Sequence, residues 1–279
     1  MKLELHKFDM TTLKDDAVIV LLGARNTGKT VLAQSLLYTH SSIPAGIIIS
    51  PTEAVNQSFT PYVPKMLIYD QYEPAIVERF VERQKKITAQ YKEELRKYGR
   101  SDIDPRAFIL LDDCMYDNSW VNDTAIRYLF FNGRHIKVLL IITMQFPLGI
   151  PPALRANVDY VFINRNNMIK DRERIYQQYA GMFPTFDIFQ SVMNAATEDY
   201  HCVVINKRTQ SNKLTDQVFW YKAPMGLKFR ICSKELWDLQ AIEEEKRALG
   251  LIQEVDDDEL YDPQKFGKKS AIKLKVLRK

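Results

Sequence analysis

Cysteine is scarce in this chain of 279 residues. The three present, Cys114, Cys202 and Cys232, are far apart, odd in number and without any C-x-x-C spacing. That excludes a disulfide framework and a thiolate zinc site, and it suits a reducing compartment. Histidine is nearly as rare, and His6, His40, His135 and His201 show no metal-ligand spacing. Long hydrophobic runs are also missing. The longest, Val138 to Met144, is too short to cross a bilayer, and the segment Met1–His6 lacks the apolar stretch of a secretory signal. No integral membrane segment is therefore expected, and the chain reads as intracellular. Neither sign of charge dominates: 39 basic against 35 acidic residues leave +4, too mild a surplus to establish nucleic-acid binding. Hydrophobic residues, at 46%, suffice for a full core.

Against this plain background one segment stands out. Gly23-Ala24-Arg25-Asn26-Thr27-Gly28-Lys29-Thr30 fits G-x-x-x-x-G-K-[ST], the phosphate-cradling loop, at every fixed position. Ala17–Leu22 before it reads as a buried strand. Val31 to Tyr38 after it carries apolar residues at helical spacing. Strand, glycine loop and helix are what the chemistry needs: backbone N–H groups turn inward around phosphates, and the helix N-terminus adds partial positive charge. The loop from Gly23 through Val31 is thus the candidate binding segment for ATP. Lys29 is placed on the β- and γ-phosphates and Thr30 on Mg²⁺.

Strands alternate with helices along the rest. Apolar runs at Gly46–Ser50, Met66–Tyr69, Phe108–Leu111, Val138–Ile142 and Tyr160–Ile163 suit central strands covered on both faces. Glu73–Tyr98 is the longest helix candidate, with Phe80, Ile87, Tyr91, Leu95 and Tyr98 predicted as its packed stripe. Helices are also expected over Lys170–Gly181 and Phe186–Ala196. The runs His201–Ile205 and Gln217–Tyr221 then read as a hairpin or an added pair of strands. The expected fold is α/β, a mostly parallel sheet with helices on both faces and added C-terminal strands. Residues 1–232 form the predicted catalytic domain, and 233–279 a charged, partly flexible C-terminal helix and tail. Acidic runs at Glu243–Glu245 and Asp256–Glu259 precede a basic stretch from Lys268.

Three further features point to hydrolysis. The run Phe108–Leu111 ends in Asp112-Asp113, and a hydrophobic strand ending in a carboxylate is how phosphate-loop enzymes hold Mg²⁺. Asp112 takes that role, and Asp113 is the candidate general base. Val138–Met144 ends at Gln145, the candidate sensor of γ-phosphate or attacking water. Arg134 and Arg155 are candidates for an arginine supplied to a neighbouring subunit, an effect of roughly 10³–10⁵ in rate.

These segments, with Ile48-Ile49-Ser50-Pro51-Thr52-Glu53, Asn132-Gly133-Arg134-His135 and Pro151-Pro152-Ala153-Leu154-Arg155-Ala156-Asn157, resemble the genome-packaging ATPases of poxviruses and other large nucleocytoplasmic DNA viruses, in the FtsK–HerA branch of motors. The resemblance spans roughly residues 15 to 225. It implies a RecA-like (ASCE) core and a ring-shaped homo-oligomer that moves double-stranded DNA into a capsid. It also implies the host cytoplasm, at the viral factory, or the virion as the place of action, with capsid or portal-vertex proteins as further partners. Arg134 then resembles the trans finger. A translocating ring needs cationic pore loops; Lys207, Arg208, Lys213 and the tail from Lys268 are the candidates. A small-molecule P-loop kinase and a nucleotide-gated assembly scaffold without turnover are the alternatives. A GTPase is excluded, because Asn206-Lys207-Arg208-Thr209 breaks the N-K-x-D pattern.

Overall fold

A computed structural model describes residues 4–114 and 118–249. The acidic run Asp256–Glu259 and the basic stretch from Lys268 lie outside the described residues. The chain divides into two compact units, Met1–Trp237 and Asp238–Lys279. The described part of the second is helical through Ala248.

In chain order the elements are β1 (Val18–Leu22), α1 (Lys29–Thr39), β2 (Gly46–Ile49), α2 (Glu53–Asn56), β3 (Ile68–Tyr69), α3 (Pro74–Tyr98), β4 (Ala107–Leu111), α4 (Thr124–Asn132), β5 (Val138–Met144), α5 (Pro152–Arg155), β6 (Tyr160–Ile163), α6 (Ile169–Tyr179), α7 (Phe186–Ala196), β7 (His201–Asn206), α8 (Leu214–Gln217), β8 (Val218–Lys222) and α9 (Lys234–Ala248). The strands form one eight-stranded sheet in the order β3-β2-β4-β5-β1-β6-β7-β8. Every pair from β3 to β6 is parallel, and β7 and β8 are added antiparallel. The predicted hairpin is this last pair. Half of the predicted third strand forms: Ile68 and Tyr69 pair with β2, whereas Met66 and Leu67 belong to a 3-10 turn, Lys65–Leu67.

Continuous apolar strands make sense because both faces are covered. Val18, Val20 and Leu22 of β1 face a core that includes Phe80 of α3, Ile126 and Leu129 of α4, Ile175 of α6 and Phe189 of α7. Ile19 and Leu21 face the other side, where Leu32, Leu36 and Leu37 of α1 pack with Phe59, Val63 and Phe8. β1, β4 and β5 are buried at every residue.

Helix α3 begins with Pro74 and ends at a left-handed Gly99, whose N–H returns to the Leu95 carbonyl. Its packed stripe differs from the predicted one. Ile76, Val77, Phe80, Val81, Gln84 and Thr88 are buried, whereas Leu95 and Tyr98 are exposed. A 25-residue helix is about 37 Å long, more than twice the span of a five-residue strand at about 3.3 Å per residue. Its last turns therefore outrun the sheet. Gln84 is fully buried, and its amide donates to the Pro105 and Ile136 carbonyls at 2.8 and 3.1 Å. Gln84→Leu removes both of these bonds, leaving the Ile136 carbonyl only the Thr88 hydroxyl at 3.3 Å among the described side chains, and is expected to cost about 1–3 kcal/mol of stability, read as a lower midpoint in urea at unchanged slope. An unchanged midpoint would show that water replaces the amide.

Candidate functional site

The strand order positions the site. β5 is inserted between β1, which carries the glycine loop, and β4, which ends in Asp112-Asp113. Ligands of open α/β sheets lie beyond the carboxyl ends of parallel strands, and here the ends of β2, β4, β5, β1 and β6 contribute residues.

The loop is held by its own chain. Gly23 N–H donates to the Met144 carbonyl at 3.1 Å, tying the loop to β5. A Cβ on Gly23 would lie 2.6 Å from Thr27 Oγ1 and 2.7 Å from Asn164 Cβ, so only glycine fits. The Thr27 hydroxyl donates to the Ala24 carbonyl at 2.8 Å, and Asn164, just past β6, donates to the Thr27 carbonyl at 2.7 Å. Gly28 has φ +91° and leads into α1, so the left-handed turn falls on a residue without a Cβ penalty. Ala24, Arg25 and Asn26 are exposed, whereas Thr27, Gly28, Lys29, Thr30 and Val31 are half-buried. Lys29 opens α1 and donates to the Gly23 and Ala24 carbonyls, both at 2.8 Å. Burial pushes its pKa down, and Asp113 and Asp112 pull it back up.

The two aspartates differ in environment. Asp112 is buried. Its carboxylate accepts from the Thr143 hydroxyl at 2.8 Å and the Ser50 hydroxyl at 3.1 Å. Burial raises its pKa, those hydroxyls lower it, Asp113 raises it and Lys29 lowers it, with a net upward shift. Asp113 is half-buried and has φ +52°, uncommon for a residue with a side chain. Its N–H donates to Thr143 Oγ1 at 2.9 Å. The Gln145 amide donates to both of its carboxylate oxygens, at 2.7 and 2.8 Å. Gln145 thus meets the candidate base directly.

Sequence reasoning passed over Ser50, Thr143 and Asn164. Each has an ordinary side chain, and the signal lies in position: each falls at the carboxyl end of a parallel strand. Beside the loop opens a cleft of about 380 Å³, lined by Gly28, Val31, Leu32, Asn164, Tyr200 and Met225 among others. Asn164 Oδ1 is buried there without a hydrogen-bond partner. Among the described residues no group of three or more His, Cys, Asp or Glu side chains could hold a metal.

The two arginines lie elsewhere. Arg134 precedes β5, at the amino-terminal edge of the sheet, and pairs with Asp159 at 3.3 Å. Five residues of β1 separate that edge from Gly23, or about 16 Å at 3.3 Å per residue. Arg134 is therefore not part of its own chain's phosphate site. Arg155 is tied inward, donating to the Ile150 carbonyl at 2.7 Å and to Gln178. Of the proposed pore cations, Lys207 donates to the Arg155 carbonyl at 2.9 Å and Arg208 faces Asp16 at 3.6 Å. Lys213 is exposed, with no ion pair among the described residues.

A glycine loop after β1, with β4 and its terminal aspartate pair beyond an inserted β5, defines the RecA-like class of P-loop NTPase folds. The sequence matches no family model. Protein L437 of Acanthamoeba polyphaga mimivirus is 33% identical over 239 residues, covering 85% of this chain and 83% of that protein. Protein 075L of Invertebrate iridescent virus 6 is 37% identical over 210 residues, covering 74% and 77%. This chain belongs to the family of large-DNA-virus proteins that these two represent. Among solved structures it is similar to the genome packaging NTPase B204 of Sulfolobus turreted icosahedral virus 2, bound to AMPPCP, at 15% identity and a TM-score of 0.49 over 76% of this chain and all of that one. ATPases 2 and 3 of EssC from Geobacillus thermodenitrificans match at 14% and 0.49, over 86% and 45%. At that level the likenesses assign no role to any residue, and the fold rests on the strand order.

Among the described residues, no helix is long and apolar enough to cross a membrane.

Proposed function

We propose that this protein is an ATP-hydrolysing motor that moves double-stranded viral DNA into a capsid as a ring of identical subunits. The observation that carries the reading is the convergence of Lys29, Asp112, Asp113 and Gln145 on one strand-end site. A kinase would use the same loop but has no need for a carboxylate gripped by an amide beside it. A scaffold without turnover has no need for either.

The triphosphate lies along the loop from Gly23 to Val31, with Lys29 compensating its charge, and the base enters the cleft beside Gly28 and Tyr200. Asp113 takes the proton from the attacking water. Gln145 fixes that carboxylate by donating to both oxygens, and Thr143 fixes its backbone. Mg²⁺ suits the oxygen donors present: Asp112 is a buried carboxylate whose charge lacks full compensation, and Thr30 offers a hydroxyl in the first turn of α1. These two would hold the ion, and it would neutralise phosphate charge. Arg134, too far from its own loop, serves a neighbouring copy. Lys213 and the basic tail contact DNA, and capsid or portal-vertex proteins receive the ring. Kinship with proteins of large DNA viruses supports action in the host cytoplasm where virions assemble, or in the virion itself.

The test is ATP turnover by the purified protein across protein concentrations, with and without long double-stranded DNA. Turnover that rises with DNA, and faster than linearly with protein, is expected. Turnover indifferent to both, at concentrations where assembly is demonstrated, would reject the motor.

A further inference from the structure

At the sheet edge opposite the phosphate loop, one buried carboxylate gathers two arginines. Asp159 is 7% exposed. Its Oδ2 accepts the Val18 N–H, at the start of β1, at 2.9 Å. Its Oδ1 meets Arg134 at 3.3 Å and Arg208 at 3.9 Å. Arg208 also lies 3.6 Å from Asp16. The Asp159 carbonyl accepts the Lys207 N–H at 2.9 Å, and Lys207 reaches across to the Arg155 carbonyl. Residues far apart in sequence, before β5 and after β7, therefore place three cations, Arg134, Lys207 and Arg208, near two carboxylates.

This arrangement is poorly explained as a structural ion pair. Charge-assisted bonds close to about 2.7–2.9 Å, and neither arginine comes that near Asp159. Arg134 is 51% exposed and holds Asp159 through one nitrogen, and Arg208 meets its two carboxylates only at 3.6 and 3.9 Å, beyond hydrogen-bond distance. Two guanidiniums drawn to one oxygen repel each other, and an added anion would relieve that repulsion. Lys207 feels the same surroundings: burial lowers its pKa, Asp159 raises it and Arg155 lowers it further. A compact pair of forks suits the oxygens of one phosphoryl group. A DNA backbone calls instead for cations spread along a stripe or groove.

We propose that Asp159 positions Arg134 and Arg208 as a two-guanidinium clamp on the terminal phosphates of the nucleotide held by a neighbouring copy. Arg208 is then a second residue supplied in trans, and Asp159 a positioning residue that touches no substrate. The inference rests on the oligomeric ATPase reading above.

The test uses full-length Arg208→Ala, Arg208→Lys, Arg134→Ala and Asp159→Asn. Asparagine keeps an acceptor for the Val18 N–H while removing the charge. Two readouts apply: ATP turnover, and self-association promoted by a slowly hydrolysed ATP analogue, which needs no turnover. Arg208→Ala and Asp159→Asn are expected to lose about 10²-fold in turnover, with nucleotide affinity within a few-fold of wild type. Arg208→Lys recovers only part. Mixing either variant with Lys29→Ala subunits, whose own loop is disabled but whose clamp is intact, restores turnover; damage confined to the fold of one subunit is not repaired this way.

Normal turnover in Arg208→Ala, or no rescue in confirmed mixed assemblies, overturns the clamp. Loss of DNA affinity with intact DNA-free turnover assigns Arg208 to DNA and overturns it equally. If wild type and Arg134→Ala alike show no turnover, the ATPase reading fails. The analogue-promoted association then decides the clamp: weakened in Arg208→Ala it stands as an assembly contact, unchanged it falls.

Discussion

Asp113→Asn is expected to keep ATP bound and stop its hydrolysis. The substitution preserves size and leaves Lys29, Thr30 and Asp112 in place, so the charges that hold phosphate and cation persist. What it removes is the proton acceptor. An amide cannot take a proton from water at neutral pH, and loss of a positioned base costs typically 10²–10⁴ in rate. A second consequence comes from geometry. Gln145 donates to both oxygens of Asp113, at 2.7 and 2.8 Å; an asparagine offers one acceptor and turns its own donor toward Gln145. The grip is half lost, and any water left in place is poorly aimed. Steady-state turnover and equilibrium nucleotide binding, measured on one preparation, separate the two effects. A variant that hydrolyses ATP at near wild-type rate with unchanged affinity would remove Asp113 from the role of base. Gln145→Ala should fall between wild type and Asp113→Asn, since it frees the carboxylate without discharging it.

The parts of this site legible in sequence are those whose chemistry is local. A glycine loop needs its own spacing, and a strand that ends in two aspartates announces itself. Gln145 was visible as a polar residue at a strand tip, but not its partner. Asp113 lies 32 residues away, and the two meet only because β5 pairs in parallel with β4. Ser50, Thr143 and Asn164 were silent for a related reason: a hydroxyl or an amide is unremarkable until strand order brings it to a shared edge. The fold was readable because continuous apolar strands between helices admit few arrangements. Its departures are equally physical. Helix α3 carries apolar residues beyond the end of the sheet, so periodicity marked Leu95 and Tyr98 as core where no core exists. Met66 and Leu67 look strand-like by composition, yet the edge of the sheet pairs only the two residues after them. Arg134 was singled out from its segment and Arg208 as a pore cation, but that both lie beside Asp159 appears only when the chain is folded.

Lys29→Ala should abolish hydrolysis and also weaken ATP binding, and this second effect distinguishes it from Asp113→Asn. The ammonium donates to the Gly23 and Ala24 carbonyls and is stabilised by Asp113 and Asp112 against the burial that disfavours its charge. It therefore lies at the loop, with both carboxylates acting on its charge, where the proposed reaction would develop charge on the transferring phosphoryl group. Removing one such group costs about 10²–10³ in turnover. The loss extends to the ground state, because the triphosphate is already charged before reaction. Two carboxylates then face it without the ammonium whose charge they favour, and Asp112, whose pKa is already raised, loses a partner that favours its ionised form. Lys29→Arg should not restore activity: a planar fork cannot occupy the place of a compact ammonium between two loop carbonyls. Binding of a fluorescent ATP analogue and turnover, followed together, give the comparison. If Lys29→Ala bound ATP as wild type does and lost only turnover, Lys29 would act on the transition state alone; if both survived, the phosphate loop would have no part in the chemistry assigned to it.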